Sequence, residues 1–395
     1  MVITNAHIIT PFRILYGSIR IRNGAIVEIV EDNLKPYSGE EHMDVGGNYL
    51  APGFIDIHVH GGGGFDFMDN TEEAFIRITQ THAQYGTTAM LPTSLTSDTS
   101  ELVRLLETYK SVLHNNLVHT RLLGIHLEGP YFAMNQRGAQ DSRFIRNPDP
   151  QEYLPILENY APYIARWSAA PELPGALEFG KAAQQAGIMV SIAHTDALYE
   201  DVVRSLESGF SLATHLYSGM SGMVRKNAYR YAGTIETCLL LDEIPVELIA
   251  DGIHLPRPFL QLILKNKGTD KIVLVTDAMR ASGTDATHSR LGSVWHGLDV
   301  IIEDNIAKLP DRSSFAGSVA TADILIRTMV NVAGVGLADA VKMLTYNPAK
   351  LLGKESEIGS VGIGKKADIV VFDDNIQVQY TIIDGKVIYD SNKRS

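Results

Sequence analysis

The sequence predicts an α/β protein: a (β/α)8 barrel over residues 52–352, carrying a small β-sandwich domain built from both chain ends, 1–51 and 353–395. Three observations predict it. Between Pro52 and Leu352, short apolar runs alternate with segments of helical spacing about eight times, which favours a closed barrel over an open doubly wound sheet. Both flanks read instead as short strands joined by turn signals. The apolar runs of the middle region also tend to end in His, Asp or Glu, and a barrel gathers strand ends at one mouth.

The N-terminal flank offers strands at Val2-Ile3, His7–Thr10, Gly17–Ile21 and Ala25–Ile29, with Asn23-Gly24 and Pro36 as turns. A Pro52-Gly53 turn then leads into the apolar run Phe54–His60. Residues two apart on a strand share a side, so His58 and His60 project together at its C-terminal end. Paired neutral imidazoles suit a divalent transition metal, although a lone His-x-His is often structural. The glycines 61–64 that follow predict a mobile loop. No Lys-Ser/Thr helix start follows them, so a phosphate-cradling P-loop is excluded.

Further strands are expected at Thr88–Thr93, Leu122–Leu127, Ile164–Ala170, Ile188–His194, Ser211–His215, Val246–Ala250 and Ile272–Asp277. Helical spacing marks Glu72–Tyr85, Thr99–His114, Gly175–Ala186 and Pro258–Asn266, and Ala320–Ala333 with Leu337–Leu344 completes the outer ring. After Asn347-Pro348-Ala349 the strands return, at Gly362–Phe372 and Val378–Ile383, with Asp384-Gly385 as a hairpin turn.

Composition narrows the function classes. A net charge of -12 argues against a nucleic-acid binder, while leaving small anionic substrates open. Cys238 is the sole cysteine, so no disulfide forms within the chain and a reducing cytoplasm is the expected home. No apolar run of about 20 residues occurs and the N-terminus starts as a strand, so a soluble protein with no membrane partner is expected.

The strand-end residues carry the chemistry. Strand one ends in His58 and His60, strand three in Glu128, strand five in His194 and strand six in His215. Strand seven precedes Asp251-Gly-Ile-His254, and strand eight ends in Asp277. Each alone serves readily as a helix cap or a hydrogen-bonding partner. Burying them together without a cation is costly, so metal binding is the better account of the set.

With those residues in hand, a resemblance is specific. Pro52-Gly-Phe-Ile-Asp-Ile-His-Val-His, Gly124-Ile-His-Leu-Glu-Gly-Pro-Tyr, Ala193-His-Thr, Thr214-His-Leu-Tyr, Ala250-Asp-Gly-Ile-His and Val275-Thr-Asp-Ala-Met resemble the N-acetylglucosamine-6-phosphate deacetylase family. That family belongs to the amidohydrolase superfamily, metal-dependent hydrolases of the TIM-barrel type. Asn347-Pro-Ala and Gly364-Lys-Lys-Ala-Asp-Ile-Val-Val-Phe support the superfamily only.

The resemblance implies a site residue by residue. Glu128 is the central metal ligand, with His194 and His215. His58 and His60 add a second ion that Glu128 bridges. One or two divalent ions per subunit are therefore expected, Zn(2+) or Fe(2+), with manganese and cobalt also suited to such ligands. Asp277 matches the family's general base and acid. Gln140 matches a position near the acetyl carbonyl, and Ala139 beside it is a further substrate contact. Ser218, Gly219, Asp251, His254, Phe315, Ala316 and Gly317 correspond to sugar-phosphate contacts. Arg225 is the phosphate-binding choice, with Lys226 and Arg230 as rivals, and it reaches a neighbouring subunit in a homodimer. The implied partner is a small amino-sugar phosphate.

This chain reads His215-Leu-Tyr-Ser-Gly-Met220 where many members read His-Leu-Phe/Tyr-Asn-Ala-Met, which leaves open the sugar epimer and the need for the phosphate. N-acetylgalactosamine 6-phosphate is thus an alternative substrate. A cyclic-amide hydrolase of the dihydroorotase or hydantoinase type is a further alternative. Those enzymes bridge their metals with a carboxylated Lys on strand four, and Ile164-Ala-Arg-Trp-Ser-Ala-Ala-Pro-Glu172 offers none. A non-catalytic scaffold would be expected to lose ligands, and this set is complete.

Overall fold

The structure, a computed structural model, describes residues 1–393. Its centre is a run of parallel strands numbered here along the chain: β1 (Phe54–Val59), β2 (Thr87–Pro92), β3 (Ile125–Glu128), β4 (Ile164–Ala169), β5 (Met189–Ile192), β6 (Phe210–Ala213), β7 (Val246–Ile249) and β8 (Ile272–Val275). Strands β3 to β8 form one continuous parallel sheet in chain order, and β1 pairs with β2 in a second. Single parallel bridges join the two at both seams, Thr93 to His126 and Val59 to Ala278. Every residue of β1, β2, β3, β7 and β8 is buried, as expected where helices cover one face and side chains fill the other.

The strand expected at Leu122–Leu127 is broken. Arg121–Leu122 pairs with β2, whereas Ile125–Glu128 pairs with β4. Gly124 makes the switch, with φ +120° and room for no side chain, since a Cβ there would sit 2.6 Å from that of Ala165. The kink carries the chain from one sheet to the other. It leaves Glu128 at the end of the second piece.

Strands expected to run through His194, His215 and Asp277 stop two residues earlier, at Ile192, Ala213 and Val275. All three side chains instead sit on left-handed backbone, with φ of 45°, 27° and 49°. Few non-glycine residues adopt it, and where they do the conformation commonly serves a site. Here it follows directly on the strand end.

Helix placement matches the periodicity closely. Thr99–His114 is capped by Asp98, whose carboxylate accepts the Glu101 N–H, and Glu72–Ala83 is capped by Thr71, which accepts from Ala74. No helix among the described residues is long and apolar enough to cross a membrane.

The chain ends meet in one sheet of eight strands. Ile369–Phe372 lies antiparallel to Tyr49–Pro52, which in turn pairs with Val2–Ile9. The segments expected as two strands, Val2-Ile3 and His7–Thr10, form one, irregular between Ile3 and Ala6 where Asn5 takes φ 55°. Ile3, Ile8, Ile19, Leu50, Ile369 and Ile382 form this sheet's own buried cluster. Arg121 ties it to the parallel strands through Asp368 and Asp384.

Two hairpin regions had no signal in the periodicity: a three-stranded antiparallel sheet of His288–Leu291, Leu298–Glu303 and Ile306–Lys308, and the hairpin Val224–Lys226 with Tyr229–Tyr231. The glycine segment 61–64 also departs from expectation. Rather than a mobile loop, it is fastened: Gly63 donates to Ser282 O at 2.8 Å, Gly64 to Arg280 O at 2.9 Å, and Arg280 Nη1 returns to Gly64 O at 2.9 Å. Asp69 holds that guanidinium in place.

Candidate metal-binding active site

The residues named from strand ends converge. Glu128 stands at the centre: its Oε1 lies 3.0 Å from His215 Nε2, 3.3 Å from His194 Nε2 and 3.5 Å from His58 Nε2. Its Oε2 lies 3.4 Å from His60 Nε2. Asp277 Oδ1 approaches the Nε2 atoms of His60 and His58 at 3.0 and 3.4 Å. All six residues are buried, none more than 8% exposed.

Ionisation states follow from this crowding. Burial opposes the charged form of His58, but Glu128 and Asp277 outweigh it and raise the pKa to about 10. Burial alone would raise Glu128, yet the surrounding histidines, His58 first, hold its carboxyl well below the usual range. Asp277 is likewise lowered against burial, by His58 and His60.

A divalent cation fits this donor set. Two triads, His58–His60–Asp277 and His58–Glu128–His215, each have ligand atoms within 4.8 Å of one another. Four imidazole nitrogens and two carboxylates face inward with no Lys or Arg among them, a composition suited to zinc or iron. His194 is oriented from behind, its Nδ1 lying 2.8 Å from the carbonyl oxygen of Gln136, which leaves Nε2 for the centre.

Above these residues opens a cavity of about 240 Å³. Its lining includes His60, Glu128, His194, His215 and Asp277, together with Ala139, Gln140, Ser218, Gly219, His254, Phe315 and Gly317. Asp251, Ala316 and Arg225 stand outside that lining. Asp251 acts on it indirectly: its Oδ1 accepts the His254 N–H at 2.8 Å and its Oδ2 lies 2.7 Å from His254 Nδ1. Ala316 is wholly buried, and Arg225 lies on an exposed stretch of the Val224–Lys226 strand.

Gln140 differs from expectation in its bonding. Its Oε1 accepts the Thr96 N–H at 2.8 Å and its Nε2 donates to Glu128 Oε2 at 2.7 Å, so each end of the amide has a partner. It steadies Glu128 with one N–H of the amide nitrogen. Leu95, Gly138, Tyr217, Leu291 and Ser314 also line the cavity and were not anticipated. Leu95 and Tyr217 each lie two residues past a residue that the sequence did single out, Thr93 and His215. Leu291 belongs to the antiparallel sheet that periodicity did not reveal.

Comparison with known proteins agrees with this geometry. The family model for amidohydrolases matches residues 49–388. The N-acetylglucosamine-6-phosphate deacetylase of Lysinibacillus sphaericus is 32% identical over 354 residues, covering 90% of this chain and 89% of that protein. The crystal structure of the enzyme of that name from Pasteurella multocida superposes with a TM-score of 0.90 at 28% identity, covering 98% of both chains. A variant of the Mycobacterium smegmatis N-acetyl-D-glucosamine-6-phosphate deacetylase, solved in complex with N-acetyl-D-glucosamine-6-phosphate, gives 0.88 at 27% identity, over 98% of this chain and 99% of that one. With a matching family model over most of its length and a His, Glu and Asp group able to hold a metal gathered at one rim, this chain belongs to the amidohydrolase family.

Proposed function

We propose that this protein hydrolyses the acetamide of N-acetylglucosamine 6-phosphate, giving acetate and glucosamine 6-phosphate. One observation carries the reading: Glu128 sits between the His194–His215 pair and the His58–His60 pair, with Asp277 beside it on the cavity wall. The scaffold is read as a closed (β/α)8 barrel over residues 52–352, with the terminal sheet forming a β-sandwich domain from 1–51 and 353–395.

Glu128, His194 and His215 would hold one divalent ion, and His58, His60 and Asp277 a second, with Glu128 shared. Bound there, such an ion polarises the acetamide carbonyl and acidifies water. The chain's own side chains then manage protons. Asp277 carboxylate takes a proton from the attacking water and delivers it to the amide nitrogen, since an amine leaves where an amide anion cannot. His254, its Nδ1–H held by the Asp251 carboxylate, would donate from Nε2 to the carbonyl oxygen as negative charge develops there when the ring carries a proton on both nitrogens. Gln140 keeps Glu128 in place. Ser218, Gly219, Phe315 and Gly317 would hold the sugar, and Arg225 the phosphate, in a cytoplasmic homodimer.

An acetate-release panel tests the reading, using N-acetylated glucosamine, galactosamine and mannosamine with and without the 6-phosphate, alongside metal analysis of the purified protein. Turnover is expected to be greatest on the phosphorylated gluco-epimer with zinc or iron bound. Preference for the galacto-epimer would correct the substrate. Release from none of the panel would overturn the activity.

A further inference from the structure

Beneath the rim, β7 supplies a carboxylate to which the deacetylase reading assigns no part. Glu247 is wholly buried, as is Arg166 of β4, and the two form a bidentate pair in which Arg166 Nη2 donates to Glu247 Oε2 at 3.0 Å. The guanidinium is fully engaged elsewhere too, donating from Nε to Ser191 Oγ at 2.8 Å and from Nη2 to Thr214 Oγ1 at 2.7 Å. Arg166 therefore fixes where the Glu247 carboxylate stands.

That carboxylate faces the rim. Glu247 Oε2 accepts the backbone N–H of His215 at 3.2 Å and lies 3.5 Å from Nδ1 of His58. The Glu247 carbonyl also accepts the Leu216 N–H at 2.8 Å. At 3.5 Å the contact with His58 is at the outer edge of hydrogen bonding, and no other acceptor reaches that nitrogen among the described residues. His58 turns its Nε2 towards Glu128 and Asp277, so presenting that lone pair to a cation requires the ring proton on Nδ1, facing Glu247.

We propose that Glu247, held by Arg166, is a positioning residue for both cation sites: its carboxylate accepts the Nδ1–H of His58, which keeps the proton, and the N–H of His215, clamping the main chain there. The proposal rests on the metal-dependent reading above. It differs from a purely structural role for the ion pair, which would leave ligand geometry untouched when the pair is replaced as a unit.

The test uses metal-free full-length protein titrated with Co(II) against a chromophoric chelator, with the visible spectrum of bound cobalt as the second readout. Glu247→Gln keeps the shape and one acceptor oxygen. The double variant Arg166→Met/Glu247→Leu removes both charges together, an exchange that buried ion pairs commonly survive. Co(II) affinity is expected to fall roughly 10–100-fold in the double variant and less in Glu247→Gln, with altered cobalt bands in both. Should the double variant not fold, Glu247→Gln carries the test. A folded variant with wild-type affinity and bands would overturn the proposal and leave the deacetylase reading standing. Wild-type protein that takes up no cobalt would remove both.

Discussion

Two clusters of buried ionisable groups lie one above the other, and they are closed in different ways. In the lower one, Arg166 and Glu247 neutralise each other, and Ser191 and Thr214 take further guanidinium hydrogens. In the upper one, two carboxylates face the Nε2 atoms of four imidazoles, and among the described residues no Lys or Arg pairs with them. Neither arrangement is cheap, because buried charge must be paired. The lower cluster pairs within the chain; the upper one leaves its acceptors for something brought from outside. This contrast separates a part of the fold from a site.

The largest expected effect is at the centre of the upper cluster. Glu128→Gln should lose bound metal and at least about a thousandfold in acetate release, about 4 kcal/mol of barrier. Wild-type metal content and rate in that variant would erase the distinction. Asp277→Asn should keep the ion held by Glu128, His194 and His215 yet lower kcat by about 10²–10⁴-fold, the usual worth of a positioned proton carrier; metal analysis beside single-turnover rates separates it from Glu128.

A third test uses pH. The folded pKa of His58 is raised to about 10 from an ordinary 6.5. Its stabilisation of the metal-free protein is therefore complete below about pH 6.5 and is lost as pH climbs towards 10. Melting temperatures of metal-free protein should fall across that window, whereas metal-loaded protein, with the imidazole already deprotonated, should lack this fall. Parallel curves would show that proton and cation do not compete for His58. The smallest effect belongs outside both clusters. Arg225→Ala should raise KM for the phosphorylated sugar about tenfold, about 1.4 kcal/mol, and leave the unphosphorylated sugar unchanged. Equal effects on both sugars would shift the phosphate assignment to Lys226 or Arg230.

Much of this was legible beforehand, and the exceptions share a cause. Thr99–His114 and Val378–Ile383 lie where local pattern places them, because a capped amphipathic helix and a hairpin strand are specified by neighbouring residues. The rim histidines and Glu128 were found from their place at the ends of apolar runs. Glu247 was not, because Val246-Glu-Leu-Ile reads as a strand with one solvated position. Its partner Arg166 is 81 residues away. Gln140 was found but its bonding was not, since Thr96 and Glu128 reach it from two different strand ends.

The sequence by itself determined the alternation of strands and helices, the identity of the candidate ligating side chains and their position at strand ends, since each depends on spacing along the chain. Only the tertiary structure decided that His194, His215 and Asp277 turn inward on left-handed backbone, that Gly124 moves the chain from one sheet to the other, and that Arg166 holds Glu247 under His58. Those features depend on what a residue meets across the barrel, and contacts between distant segments leave no period in the chain that makes them.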